Sequence, residues 1–197
     1  MVYEDHVMKY DFWIVAIGSS AGGLDPLKQM VGRLSKNINA AFIVLTHLLP
    51  DGNSNLDNIL AKHSRIPAIR AKHGMPIEPN KIYILPENKM MTLQDGLLNL
   101  RDRRPDEIIN RAIDIFFFSL ALDAKEKSIG ILLSGGGNDG LLGSKEIGKN
   151  HGVIIVQDPQ TAEHPYMPNA IIEYNLPDAI LSPDEMGDRI SVYVGLN

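Results

Sequence analysis

Three strand-sized apolar runs, each ending in a motif rich in glycine or polar residues, constrain this chain most. WIVAI (13–17) leads into Gly18-Ser19-Ser20-Ala21-Gly22-Gly23 and AFIVL (41–45) into Thr46-His47. IGILL (129–133) leads, after Ser134, into Gly135-Gly136-Gly137-Asn138-Asp139-Gly140. Short continuous apolar runs fit strands buried on both faces, as in a parallel sheet. In an open parallel sheet the residues just past the carboxyl ends of the strands line the ligand crevice. A serine, a histidine and an aspartate far apart in sequence can therefore meet in space, which makes a Ser-His-Asp hydrolase the sharpest reading.

The segments between these runs carry helical spacing. Asp25-Pro26 reads as N-cap and first helical position, with Leu27, Met30, Val31 and Leu34 facing a sheet. Asn53 or Ser54 would cap a second helix with Leu56, Ile59 and Leu60 inward. The longest helical pattern spans 106–123, with Ile109, Ala112, Ile113, Phe116, Phe117, Leu120 and Ala121 on or near one face. Further helices are expected at 141–150, 169–174 and 183–194, and strands at 153–156 and 179–181. Between residues 82 and 100 the texture changes: IYIL, MMTLQ, Asp95-Gly96 and LLNLR read as an antiparallel hairpin at a sheet edge or over one end of the domain. Asp-Gly supplies the positive φ at both central positions that a type I′ turn requires.

The fold expected is one α/β domain: a doubly wound, mostly parallel sheet with helices on both faces and an antiparallel hairpin. Residues 1–11 form a polar lead-in and 12–194 the domain itself. The 197 residues and a hydrophobic fraction of 44% suit one globular core. A net charge of −5 argues against general nucleic-acid binding, which needs basic surface. With no cysteine, disulfides and thiolate metal sites are excluded. No signal peptide or membrane-length apolar run is present, so a cytoplasmic protein that is not membrane-inserted is expected.

Gly18-Ser19-Ser20-Ala21-Gly22 satisfies G-x-S-x-G, the pattern of a sharp strand-to-helix turn that exposes its central serine. Ser20 holds that centre and is the preferred nucleophile; Ser19 competes. The amides from Ala21 onward approach a helix N-terminus and can hold an oxyanion. His47 is the candidate base and His164 its best rival. Asp139 either orients His47 or caps the helix that follows it. Neither G-x-G-x-x-G nor a G-x-x-x-x-G-K-[ST] loop is present, which disfavours a nucleotide-binding domain.

The combination of IVAIGSSAGG (14–23), THLLPDG (46–52), KIYILPENKMMTL (81–93), AIDIFFFSLA (112–121), GILLSGGGNDG (130–140) and VQDPQTAEHPYMPNAII (156–172) resembles the catalytic domain of the chemotaxis receptor methylesterases. The segments follow family order and cover nearly all of residues 12 to 190. The resemblance implies Ser20 as nucleophile, His47 as base and Asp139 as third member, with backbone support for the oxyanion at Ala21 and Gly136. It implies hydrolysis of glutamate γ-methyl esters on methyl-accepting chemotaxis receptors, release of methanol and deamidation of certain glutamines. No metal or organic cofactor is implied. Ala21 stands where the family often has Thr, Gly136 where it often has Met, and Arg111-Ala112 replaces an arginine-proline. The N-terminal phospho-receiver domain of many relatives has no counterpart in these residues; a separate regulatory protein is one partner the reading allows. The rivals are a silent interaction module of the same fold and a small-molecule esterase or amidase.

Overall fold

The apolar runs 14–17, 41–45 and 129–133 are buried along their whole length, which places them between two layers of helices. A computed structural model describes residues 9–46 and 55–195. In chain order its elements are β1 (Trp13–Ser19), α1 (Leu24–Arg33), β2 (Ala40–Thr46), α2 (Leu56–His63), β3 (Ala68–Arg70), β4 (Met75–Pro76), β5 (Lys81–Ile84), β6 (Lys89–Gln94) and β7 (Leu97–Asp102). They continue with α3 (Ala112–Ala124), β8 (Ser128–Leu132), α4 (Leu141–Lys149), β9 (Val153–Gln157), α5 (Tyr166–Ile172), β10 (Ala179–Leu181) and α6 (Pro183–Tyr193).

Seven strands form one sheet in the order β10-β9-β8-β1-β2-β5-β3. Every pairing in it is parallel. Successive side chains of β1 point to opposite faces, so Ile14 and Ala16 join one core while Val15 and Ile17 join the other. The first core packs under α3, α4 and α5; the second lies under α1, α2 and α6. Covering both faces is what lets the central strands be apolar throughout. The expected doubly wound α/β domain is therefore observed, with a sheet wholly rather than mostly parallel.

The antiparallel part is a sheet of its own, β4-β7-β6. Asp95 and Gly96 turn its hairpin at φ +51° and +76°, the conformation the Asp-Gly pair predicts. IYIL does not belong to it; Ile82–Ile84 lie in β5 of the main sheet. The small sheet lies against α3, where the Leu93 amide donates to the Ser119 hydroxyl at 2.9 Å. At the far end of α3, Asp123 accepts from Lys9, from the Tyr10 hydroxyl and from the amides of Asp95 and Gly96.

Several boundaries differ from the sequence reading. α1 starts at Leu24 with Gly23 as N-cap, because a turn closed by Gly23 N–H to the Ser20 carbonyl already sets the helical direction. Asp25 and Pro26 sit inside the first turn rather than starting it. α3 begins at Ala112, not near 106, and Ile109 is 67% exposed instead of core-facing. There the Arg103 guanidinium donates to the carbonyls of Glu107 and Ile108, folding the segment into a turn. α5 starts three residues early, with Pro168 tolerated in its first turn. Asn53 and Ser54 lie outside the described residues.

Candidate active site

Strand register brings the candidate loops to one place. Ser19 pairs in register with Thr46, and Gly18 with Leu132. The residues leaving β1, β2 and β8 therefore emerge side by side. The chain runs outward from β1 to β2 in one direction and places β8 on the other side, so the crevice between β1 and β8 is the topological switch point.

Ser20 lies one residue beyond β1 and is half-buried. Its amide donates to the Ser134 carbonyl at 3.0 Å, which locks the serine turn to the loop after β8. Ser19 points the other way: it is 1% exposed, and its hydroxyl lies 3.3 Å from that of Thr46. Burial removes Ser19 from contention as the nucleophile. Ser134, also fully buried, is the knot of the site. Its hydroxyl donates to the Ala21 carbonyl and accepts from the His164 amide, both at 2.9 Å. Its amide donates to the Gln157 side chain at 2.8 Å.

The glycines of the loop answer different demands. A Cβ on Gly135 would lie 2.9 Å from the Ser20 Cβ and would strike Met167. Gly137 takes φ +79°, whereas Gly136 is exposed with open space about it. Ala21 is exposed as well.

Asp139 is 5% exposed and does not cap α4, whose N-cap is Gly140 at φ +96°. Its two carboxylate oxygens accept instead from α3, at 2.9 Å from the Asp114 amide and 3.0 Å from that of Ile113. The capping role foreseen for Asp139 is real but serves the other helix. The Ile113 side chain packs against Gly18, where a Cβ would come within 2.7 Å of it. Asp139 is thus tied to β1 two residues before Ser20.

His47 lies outside the described residues; Thr46, which precedes it, is at the β2 exit beside Ser19. His164 borders the loop through its backbone, its carbonyl accepting from the Gly135 amide at 2.9 Å. Its ring lies 3.5 Å from the Glu163 carboxylate.

A shallow cleft beside the β2 exit is lined by Thr46, Glu87, Asn88, Lys89, Arg103 and Asn110. The basic stretch Arg101-Asp102-Arg103-Arg104 near it is occupied locally. Arg101 grips Glu107 at 2.6 and 2.9 Å and holds its carboxyl down to about 2. Arg103 donates to carbonyls, as above, so these arginines first build a turn. Among the described residues no group of three or more metal-binding side chains converges.

Ser134, Gln157 and Asp114 were given no role from sequence, and Arg111 was noted only as what remains of the family's arginine-proline pair. Arg111 donates to the Asn138 side chain at 2.9 Å. Asp114 did carry a signal: it is the one charged residue in the largely apolar AIDIFFFSLA.

Residues 15–190 match the family model of the CheB methylesterase. The chain belongs to the CheB methylesterase family. The catalytic domain of the Thermotoga maritima CheB methylesterase superimposes with a TM-score of 0.85 at 27% identity, covering 94% of this chain and 100% of that one. A Desulfitobacterium hafniense relative, named protein-glutamate methylesterase/protein-glutamine glutaminase, is 29% identical over 187 residues. That match takes in 92% of this chain but 48% of the relative, and this CheB-family chain spans about half of others as well. A Leptospira interrogans relative is 27% identical over 88% of this chain and 91% of its own length.

Among the described residues no helix is long and apolar enough to cross a membrane.

Proposed function

We propose that this protein is a serine hydrolase that removes γ-methyl esters from glutamates of methyl-accepting chemotaxis receptors and deamidates glutamines at such sites. The observation that carries the reading is the meeting of the β1 and β8 exits at the switch point. There Ser20 leaves the G-x-S-x-G turn, and Asp139 is held on the α3 amides that Ile113 ties to β1. Membership in the family and the names of its relatives support the substrate.

In the mechanism Ser20 Oγ attacks the ester carbonyl while His47 takes its proton. Asp139 orients His47 and stabilises the imidazolium that forms. Amides at Ala21 and Gly136 hold the oxyanion, at positions open to an incoming side chain. The C–O bond to methanol then breaks, and His47 returns the proton to the leaving oxygen. Water, deprotonated by His47, hydrolyses the glutamyl-serine ester and regenerates Ser20. A glutamine would follow the same path with ammonia leaving.

The test is methanol release from methylated chemoreceptor membranes by wild type and Ser20→Ala. The variant should fold and lose roughly 10⁴–10⁶ in rate. Equal release by both proteins would remove Ser20 from the mechanism. No release by either, with both folded, would favour a silent binding module.

A further inference from the structure

Asp114 is a buried acid for which the mechanism above has no use. It is 5% exposed in the first turn of α3, on a helix whose other inward residues are apolar. Its Oδ1 accepts from the Gly140 amide and from the Gly143 amide, each at 2.9 Å. Those two amides open α4. Asp139 meanwhile serves the α3 amides of Ile113 and Asp114. The two helices therefore exchange caps: each supplies from its own start the carboxylate that the other's unpaired amides need.

The exchange closes a ring that fixes Asp139 from both sides. Its side chain is held by residues 113 and 114, and its peptide link to Gly140 is held by the side chain of residue 114. The Arg111 guanidinium covers the outside, 3.4 Å from Asp114 Oδ2 and bonded to Asn138. Burial lifts the Asp114 carboxyl above its ordinary range and the Asp139 charge adds to this. The Gly143 amide, Arg111 and the Gly140 amide offset this only in part. A carboxylate kept at such a place against its own desolvation is doing more than filling volume.

We propose that Asp114 is a positioning residue for catalysis: it acts through the Gly140 amide to hold Asp139 in register with Ser20. The inference rests on the assignment of Asp139 to the triad. Asp114 touches no substrate; its effect should fall on the chemical step and leave receptor binding alone.

The experiment measures kcat and KM for methyl release from methylated chemoreceptor membranes, together with the rate at which a fluorophosphonate labels Ser20. The proteins are wild type, Asp139→Asn, Asp114→Ala, Asp114→Asn and Ser182→Ala. Ser182→Ala deletes the capping box of α6, on the sheet face opposite α3 and α4, and serves as a destabilised control. Asp114→Ala should lose roughly 10- to 100-fold in kcat, the scale set by small misplacements of catalytic groups. KM should hardly move, and Ser20 labelling should slow in parallel. Asp114→Asn retains an oxygen for both amides and should restore most of the loss. Ser182→Ala should melt earlier with unchanged kcat. If Asp114→Ala does not fold, Asp114→Glu carries the same expectation, since it keeps the acid but shifts its oxygens. Wild-type kcat in the alanine or glutamate variant, beside an impaired Asp139→Asn, would overturn the positioning role while leaving the triad. Asp114→Asn as slow as Asp114→Ala would also overturn it. An unimpaired Asp139→Asn would remove Asp139 from the triad and the proposal with it.

Discussion

Adding one methyl group at Gly135 should separate activity from stability. The new Cβ would stand 2.9 Å from the Ser20 Cβ and 3.1 Å from Met167 Cγ, with the Met167 sulfur closer still. Carbon atoms in contact rest at about 3.5–4.0 Å, so one partner must yield by about 0.6 Å or more. Met167 is unbranched and can swing aside. Ser20 cannot follow so easily, because its Cβ rides on a backbone bonded to Ser134. Overpacking of this kind costs about 1–3 kcal/mol. If 1 Å of misplacement costs about 10²-fold, a shift of about 0.6 Å in the nucleophile should cost roughly tenfold in kcat. Urea unfolding and methyl-release kinetics on Gly135→Ala, Met167→Ala and the double variant test this. The double variant removes the clash with Met167, so the two stability costs should couple favourably by about 1 kcal/mol or more. Its kcat should stay low, because the contact with Ser20 remains. Wild-type kcat in Gly135→Ala would refute the claim that this glycine sets the seat of Ser20. Recovery in the double variant would show that Met167 transmits the effect.

Two further outcomes are expected. Ile113→Ala should destabilise by about 2–5 kcal/mol and Ile109→Ala by less than about 0.5, because Ile113 is fully buried and Ile109 projects into solvent; equal losses in urea unfolding would contradict the turn at 103–110. Burial pushes the Asp123 carboxyl up, but donors from Lys9, Tyr10, Asp95 and Gly96 outweigh it and hold the group below its ordinary 3.8. Its stabilisation is therefore complete above that value and is lost as pH falls through the lower folded one. Urea midpoints between about pH 6 and about pH 2 should fall less in Asp123→Asn than in wild type; parallel curves would exclude Asp123.

What the sequence made legible was whatever depends on neighbours along the chain. Apolar runs located β1, β2 and β8, and Asp95-Gly96 located its turn, because burial and positive φ leave local marks. The short β3 and β4 left almost none; they exist by pairing with β5 and β7. Ile109 looked like core because its spacing continues that of α3. The arginine-carbonyl bonds that end the pattern span only four or five residues yet show no periodicity. At the site, the motifs singled out Ser20 and Asp139 by type and position. They did not show that Asp139 would serve α3, since its partners lie some two dozen residues earlier. Ser134 and Gln157 were overlooked for the same reason: their roles arise only when β8 and β9 lie side by side.

The place of β1 in the sheet has a consequence for synthesis. One edge of the strand is covered soon after it is made, by β2, but the other waits for β8, where Ile14 lies beside Ser128. At ribosomal rates of about 5–20 residues per second the interval is on the order of ten seconds. Throughout it an apolar strand from the centre of the finished sheet has an open edge, the situation in which chains pair with the wrong neighbour. Nascent copies stalled before residue 128 should therefore be the ones that recruit chaperones.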